Sequence, residues 1–423
     1  MRRALGNDGP VMVDPGGPMN QRKDLISTAE AISELVQVLK TQEIIAFDTE
    51  FIRESTFFPM VEIIQVATAT DSWLVDARAF KRNHPASRTD AFEPGIQPLL
   101  DVFTDPKILK VLHAAQGDQE CLHTSFGVVA SPTLDTAVAA SLCGYGEGIG
   151  LGKLLKAVFD LDLAKGHART NWSVRPLPQQ LIDYAHSDVI HLVALGQKLM
   201  EKLDELGRKS WAMEVSAKWE NPSLYQTDVE GIAEKLARGG RLDKNGYSAL
   251  IHLVRWREER VRKLNLPRRW VADDHVLLDL AHVRPKDLEH LGAFRGLNKG
   301  ELKNSGEAIL EAIRSSAETT GVSLPPKAPR TLAPTSDEMQ AFELIKCFVS
   351  VLAEEHKIAA KHLLTTSQLI PLLRNEIHTP SDLVKKGILG SEAAALIGEE
   401  LIAMVQGRRA LRVKGNQVEI IGT

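Results

Sequence analysis

Cysteine is nearly absent from this chain: three in 423 residues, at Cys121, Cys143 and Cys347, with no C-x-x-C pair. That excludes a disulfide scaffold and predicts a reducing, cytoplasmic setting. No H-E-x-x-H motif and no Cys/His cluster offers a zinc site. Long apolar runs are missing too. The 43% hydrophobic content fills packed cores, yet no stretch approaches the roughly 18 apolar residues of a membrane span. The first twenty residues hold two arginines, no apolar core and seven glycines or prolines, which predicts a disordered tail over 1–20 and not a signal peptide. Charge of one sign is also lacking. A net charge of −4 and a pI near 6.4 count against a generic nucleic-acid binder.

What is present is a set of carboxylates in telling places. Asp48 and Glu50 stand in IIAFDTEF, Asp118 in VLHAAQGD, and Tyr184 and Asp188 in LIDYAHSD. With 55 acidic residues, an acid-x-acid triplet occurs about seven times by chance, so context decides. The run 43–47 is apolar and β-branched, which predicts a buried strand. Side chains repeat every two residues along a strand, so Asp48 and Glu50 share one side of its end. Two such acids repel, and desolvating them is costly unless a cation neutralises them. The bland alternative is a strand end with its acids in water. The spacing further predicts a strand over 108–113, with Gly117-Asp118 opening a helix to Phe126; alone, Asp118 reads as a first-turn carboxylate. A helix beginning near Pro178 places Leu181, Tyr184, Ala185, Asp188 and Leu192 on one face. Tyr184 and Asp188 are i,i+4 neighbours, and an acid on an apolar face is an anomaly that a metal explains. His186 and His191 nearby read as satisfied histidines.

The segments DTEF, H-A-A-x-x-D and Y-x-x-x-D, in this order, resemble the three motifs of the DEDDy 3′–5′ exonucleases. FDTEFIRESTFFPMVEIIQVA, LDTAVAA, ARTNW and RPLPQQLIDYAHSDVIHL narrow the likeness to the ribonuclease D family, over about residues 20–315. One departure is Asn171, where an acid is expected before Trp172. The resemblance implies a ribonuclease-H-like α/β exonuclease domain with a mixed five-stranded sheet over 21–206. It implies that Asp48, Glu50, Asp118 and Asp188 hold two divalent ions, Mg²⁺ or Mn²⁺, and that Tyr184 orients the attacking water. It also implies a substrate: RNA with a 3′ extension, tRNA precursors and other small structured RNAs among them.

The remainder reads as helical. RWREERVRKLNLP followed by DDHVL is similar to the HRDC domain, a helical nucleic-acid-binding module, assigned to 240–319. Residues 252–270 carry seven Arg or Lys against two Glu, and Arg255, Trp256, Arg257 and Arg260, with Trp270, are the candidates for RNA contact. The competing reading is a solvated helix face with its tryptophans in a core. Four prolines in 322–336 mark a linker, set at 320–337. A block over 338–406 resembles a second, diverged HRDC domain, and 407–423 a tail with a hairpin at Gly415-Asn416. The glycine-rich run 144–152 fits no phosphate-cradling motif, since Glu147 and Leu154 break the P-loop pattern; it reads as a loop before a helix. The expected function is metal-dependent 3′–5′ exoribonuclease action in tRNA 3′-end processing, releasing nucleoside 5′-monophosphates. A DNA exonuclease with the same site, or a non-catalytic RNA-binding protein, stands as the alternative.

Overall fold

The computed structural model describes residues 20–22, 24–53, 56–81, 93–163, 170–238, 242–294, 296–297, 299–319, 321–324 and 333–422. The tail expected over 1–20, apart from Asn20, and residues 325–332 of the linker lie outside them.

The apolar, β-branched segments form one mixed sheet. Its strands are β1 (Asn20–Gln21), β2 (Ile44–Ile52), β3 (Met60–Ala67), β4 (Asp71–Asp76), β5 (Leu109–Leu112) and β6 (Thr133–Asp135). The order is β1-β4-β3-β2-β5-β6: β2, β3 and β4 run as an antiparallel meander, while β5 and β6 continue parallel to β2. Among the described residues six strands replace the five expected, because β1, which begins at the last residue of the segment read as tail, pairs with Asp71 and Ser72.

Strand alternation divides the core. Ile45 and Phe47 face one layer, with Phe47 stacked on Phe103 at 4.5 Å, beneath α1 (Ala29–Leu39), α2 (Gln97–Thr104) and α3 (Gln116–Phe126). Ala46, Val111 and Leu134 face the other, against α4 (Thr136–Leu142), α5 (Leu151–Phe159) and α7 (Leu192–Glu205). Between them in the chain, α6 (Gln179–Val189) lays Leu181 and Ala185 against Ile63 and Leu74 of the sheet. Thr28 caps α1, its hydroxyl accepting from the Ala31 amide at 3.3 Å.

Residues 207–238, unassigned from sequence, add α8 (Lys209–Ala217) and α9 (Val229–Ala237). A separate helical core then gathers on the long helix α10 (Lys244–Leu264). The C-terminal helices, from Met339 to Val405, share one continuous apolar core with α4, α7 and α8. The hairpin of β7 (Arg409–Lys414) and β8 (Gln417–Gly422) closes the chain. Among the described residues, no helix is long and apolar enough to cross a membrane.

The basic stretch on α10 departs from the RNA-contact expectation. Trp256 is 8% and Arg257 1% exposed. Arg257 is held by Asp274 at 2.6 Å and by Glu258 at 3.3 Å, and Glu258 also takes Arg268 in a two-toothed pair at 2.7 Å. Arg260 forms a two-toothed pair with Glu301 at 3.0 and 3.1 Å. These side chains close the helical core. Arg255, bridged to Glu230 at 3.0 Å, stays exposed, as does Trp270.

Candidate active site

Asp48, Glu50, Asp118, Tyr184 and Asp188 all line one cleft. On β2, Asp48 and Glu50 point to the face covered by α6, opposite Gln65 and Ile63 of β3; the register then slips at Glu50/Phe51, a bulge that ends regular pairing beside the acids. Asp118 is in the first turn of α3. The chain arrives there through Ala114, whose φ of 60° is unusual for a residue with a side chain. Asp135 holds that turn by accepting from the amides of Ala114 and Ala115 at 2.9 and 3.0 Å, while capping α4 through Ala137. On α6, Tyr184 and Asp188 are one turn apart and hydrogen-bonded to each other. The Trp172 ring sits 6.1 Å from that of Tyr184.

Carboxylate oxygens of Asp48, Glu50 and Asp188 all lie within 4.8 Å of one another, the one such group among the described residues. Asp118 joins them in hydrogen-bond contact with Asp48. The cleft, about 340 Å³, is also lined by Thr49, Phe51, His113, Gly117, Leu151 and Leu192. Thr49 was not predicted. Its hydroxyl donates to Asp118 Oδ1 at 2.6 Å and its amide to the same oxygen at 3.0 Å. No sequence signal distinguishes this threonine, because its partner is 69 residues away. Asn171 instead accepts from the Ser173 amide and hydroxyl at 3.0 and 2.6 Å, within its own turn.

The electrostatics describe four acids with too little positive charge around them. Burial, with Asp118, Asp188 and Glu50 close by, holds the Asp48 carboxyl well above the usual carboxylate range. Glu50 is pushed up to about 8, by burial first and then by Asp188 and Asp118. Asp188 rises to about 7 through burial, against the hydrogen bond from Tyr184. Asp118 rises to about 6 through burial, opposed by its bonds from Thr49. Burial, Asp188 and Glu50 also push the Tyr184 phenol up, so it stays a neutral donor. Such a cluster either takes up protons or binds cations. An all-oxygen donor set suits hard divalent ions such as Mg²⁺ and Mn²⁺ over zinc, so these residues fit a metal centre.

The carboxylate cluster and its hydrogen-bonded phenol lie within the segment that a 3′–5′ exonuclease profile matches. The 3′–5′ exonuclease domain profile matches residues 24–204 and the HRDC domain profile residues 248–313. Ribonuclease D of Granulibacter bethesdensis is 31% identical over 407 residues, covering 94% of this chain and 96% of that one. Ribonuclease D of Acidiphilium cryptum is 31% identical over 401 residues, with 94% and 96% covered. The chain belongs to the ribonuclease D family and is a 3′–5′ exoribonuclease. Its fold matches the crystal structure of Escherichia coli RNase D with a TM-score of 0.72 at 24% identity, covering 91% of this chain and 98% of that one.

Proposed function

We propose that Asp48, Glu50, Asp118 and Asp188 hold two divalent ions, Mg²⁺ or Mn²⁺, and that the cleft removes nucleotides one at a time from RNA 3′ ends. The observation that carries this reading is the group of four acids whose charged forms are disfavoured as they stand. Bound cations would neutralise them, lower the pKa of water and stabilise the departing 3′ oxygen. Asp48, Glu50 and Asp188 would hold one ion, and Asp48 with Asp118 the other. Thr49 keeps Asp118 aimed into the cleft through its hydroxyl and amide. Tyr184 donates one hydrogen bond to Asp188 and lines the same cleft, so its oxygen can orient the attacking water. The substrates we assign are tRNA precursors and other small RNAs with 3′ extensions, in the cytoplasm, with 5′-monophosphates as products. The HRDC helices serve as an accessory RNA-binding module, Arg255 being the exposed candidate on α10; we read 338–406 as a second, diverged copy.

The test is a 5′-labelled, 3′-extended tRNA precursor incubated with wild type and Asp48→Asn, in Mg²⁺ and in EDTA. A ladder shortening from the 3′ end, only for wild type with metal, is expected. Equal shortening by the variant, or in EDTA, would remove the acids from the chemistry.

A further inference from the structure

The glycine-rich stretch 144–150 has no role in the chemistry above, yet it joins two distant parts of the molecule. At its start it is seated on the C-terminal helices. Gly144 has φ +86°, and a Cβ there would meet the Lys357 carbonyl oxygen at 2.8 Å. Beside it the Ala359 amide donates to Ser141 O at 3.0 Å, and Ser141 Oγ pairs with His362 Nε2 at 2.7 Å. Arg208, 7% exposed, spans the junction. It donates to Leu142 O at 2.7 Å, to His356 O at 2.8 Å and to Lys357 O at 3.4 Å. Further along, Glu147 bridges to Lys361 at 3.1 Å.

At its other end the loop meets the active site. The backbone of Ile149 is hydrogen-bonded to the His113 ring, and His113 Nδ1 lies 2.9 Å from Thr136 Oγ1. His113 and Leu151 both line the cleft that holds the four acids. Between the two ends, a Cβ on Gly146, Gly148 or Gly150 would meet nothing within 4 Å. The loop is therefore held at both ends and at Glu147, with open space beside its intervening glycines. The position of the loop, and with it that of His113, follows these contacts.

We infer that the C-terminal helices set the position of the cleft wall at His113 and Leu151, acting through Lys357, His362 and Arg208 on the 144–150 loop behind it, with His113 as the positioning residue on the cleft side. This rests on the exonuclease reading. It gives the C-terminal helices a part in handling even the shortest substrate, without touching it. A wall met equally in ground and transition states affects KM more than kcat.

The experiment uses the full chain and a 5′-labelled diribonucleotide, with steady-state kinetics for wild type, Gly144→Ala, His113→Gln and the double variant. Each single change should raise KM on the order of tenfold and leave kcat within about twofold. Because both act through one loop, the double variant should cost no more than the worse single one. If Gly144→Ala loses its cooperative melt, Arg208→Lys replaces it, keeping the charge while losing the planar fork. Wild-type KM in the folded single variants, or strictly multiplicative effects in the double, would overturn the inference while wild type remains active. A wild-type protein unable to shorten the dinucleotide or any other RNA would instead bring down the exonuclease reading, and the inference with it.

Discussion

Replacing Asp188 by asparagine should stabilise the metal-free protein at high pH, although it should also destroy activity. In an unfolded chain this carboxyl titrates at 3.8; in the cleft it titrates at about 7. A folded-state value above the unfolded one favours folding fully below the unfolded value, and that contribution is lost as pH rises through the folded value. The window is therefore about pH 4 to 8. Three units at about 1.36 kcal/mol each make ionised Asp188 cost the folded state on the order of 4 kcal/mol above that window. Asparagine removes the charge, keeps the shape and still accepts from Tyr184. For a domain of this size, the gain corresponds to roughly 10 °C in melting temperature.

The assay is a thermal melt of wild type and Asp188→Asn at pH 5 and pH 8.5, each in EDTA and in Mg²⁺. Burial lowers the pKa of His113, His186 and His191, so these groups lose stability as pH falls, the opposite sign. They are common to both proteins and cancel in the difference. In EDTA the variant should melt higher at pH 8.5, with a smaller gap at pH 5. Saturating Mg²⁺ should close the gap, because wild type gains about 2.7 kcal/mol at a hundredfold Kd while the variant has lost a ligand. A variant less stable than wild type in EDTA at pH 8.5, or a gap indifferent to both pH and metal, would refute the account of the cluster.

Two other outcomes follow. Tyr184→Phe should lower kcat by roughly 10²–10⁴-fold if its hydroxyl aligns or deprotonates the water, and normal turnover on labelled RNA would dismiss that role. Arg257→Ala should destabilise the protein by about 3 kcal/mol in a denaturant titration, since it leaves the buried Glu258 with half its partners; an unchanged midpoint with weakened RNA affinity would reinstate Arg257 as a phosphate contact.

Elements with a strong period were legible. β2, β5, α3 and α6 fall where the apolar runs, turn residues and helix face place them, because each signal lies within the element itself. β1 and β6 were not, since two or three residues carry no period. Nor was the structural use of the basic helix. RWREER reads the same whether its arginines face phosphates or buried acids, and here the deciding partners, Asp274 and Glu301, lie 17 and 41 residues away. A run of positive charge thus reports the presence of guanidinium groups but not whether they are already neutralised.

The cleft divides along the same line. Asp48, Glu50, Tyr184 and Asp188 were readable because each pair's spacing matches the period of the element that carries it, two on a strand and four on a helix. Asp118 needed a fold to reach them, and its orientation depends on Thr49, whose hydroxyl has no counterpart in spacing. The glycine-rich loop lies furthest from what sequence reveals. Compared with a phosphate-cradling motif it has the wrong residues at two positions, and that comparison discards it. Its surroundings give it another use: glycine at 144 admits a carbonyl from residue 357, and the backbone at 149 meets a histidine lining the cleft. Those contacts span 213 and 36 positions. Glycine there is required by what approaches the backbone from elsewhere in the chain, which no local pattern records.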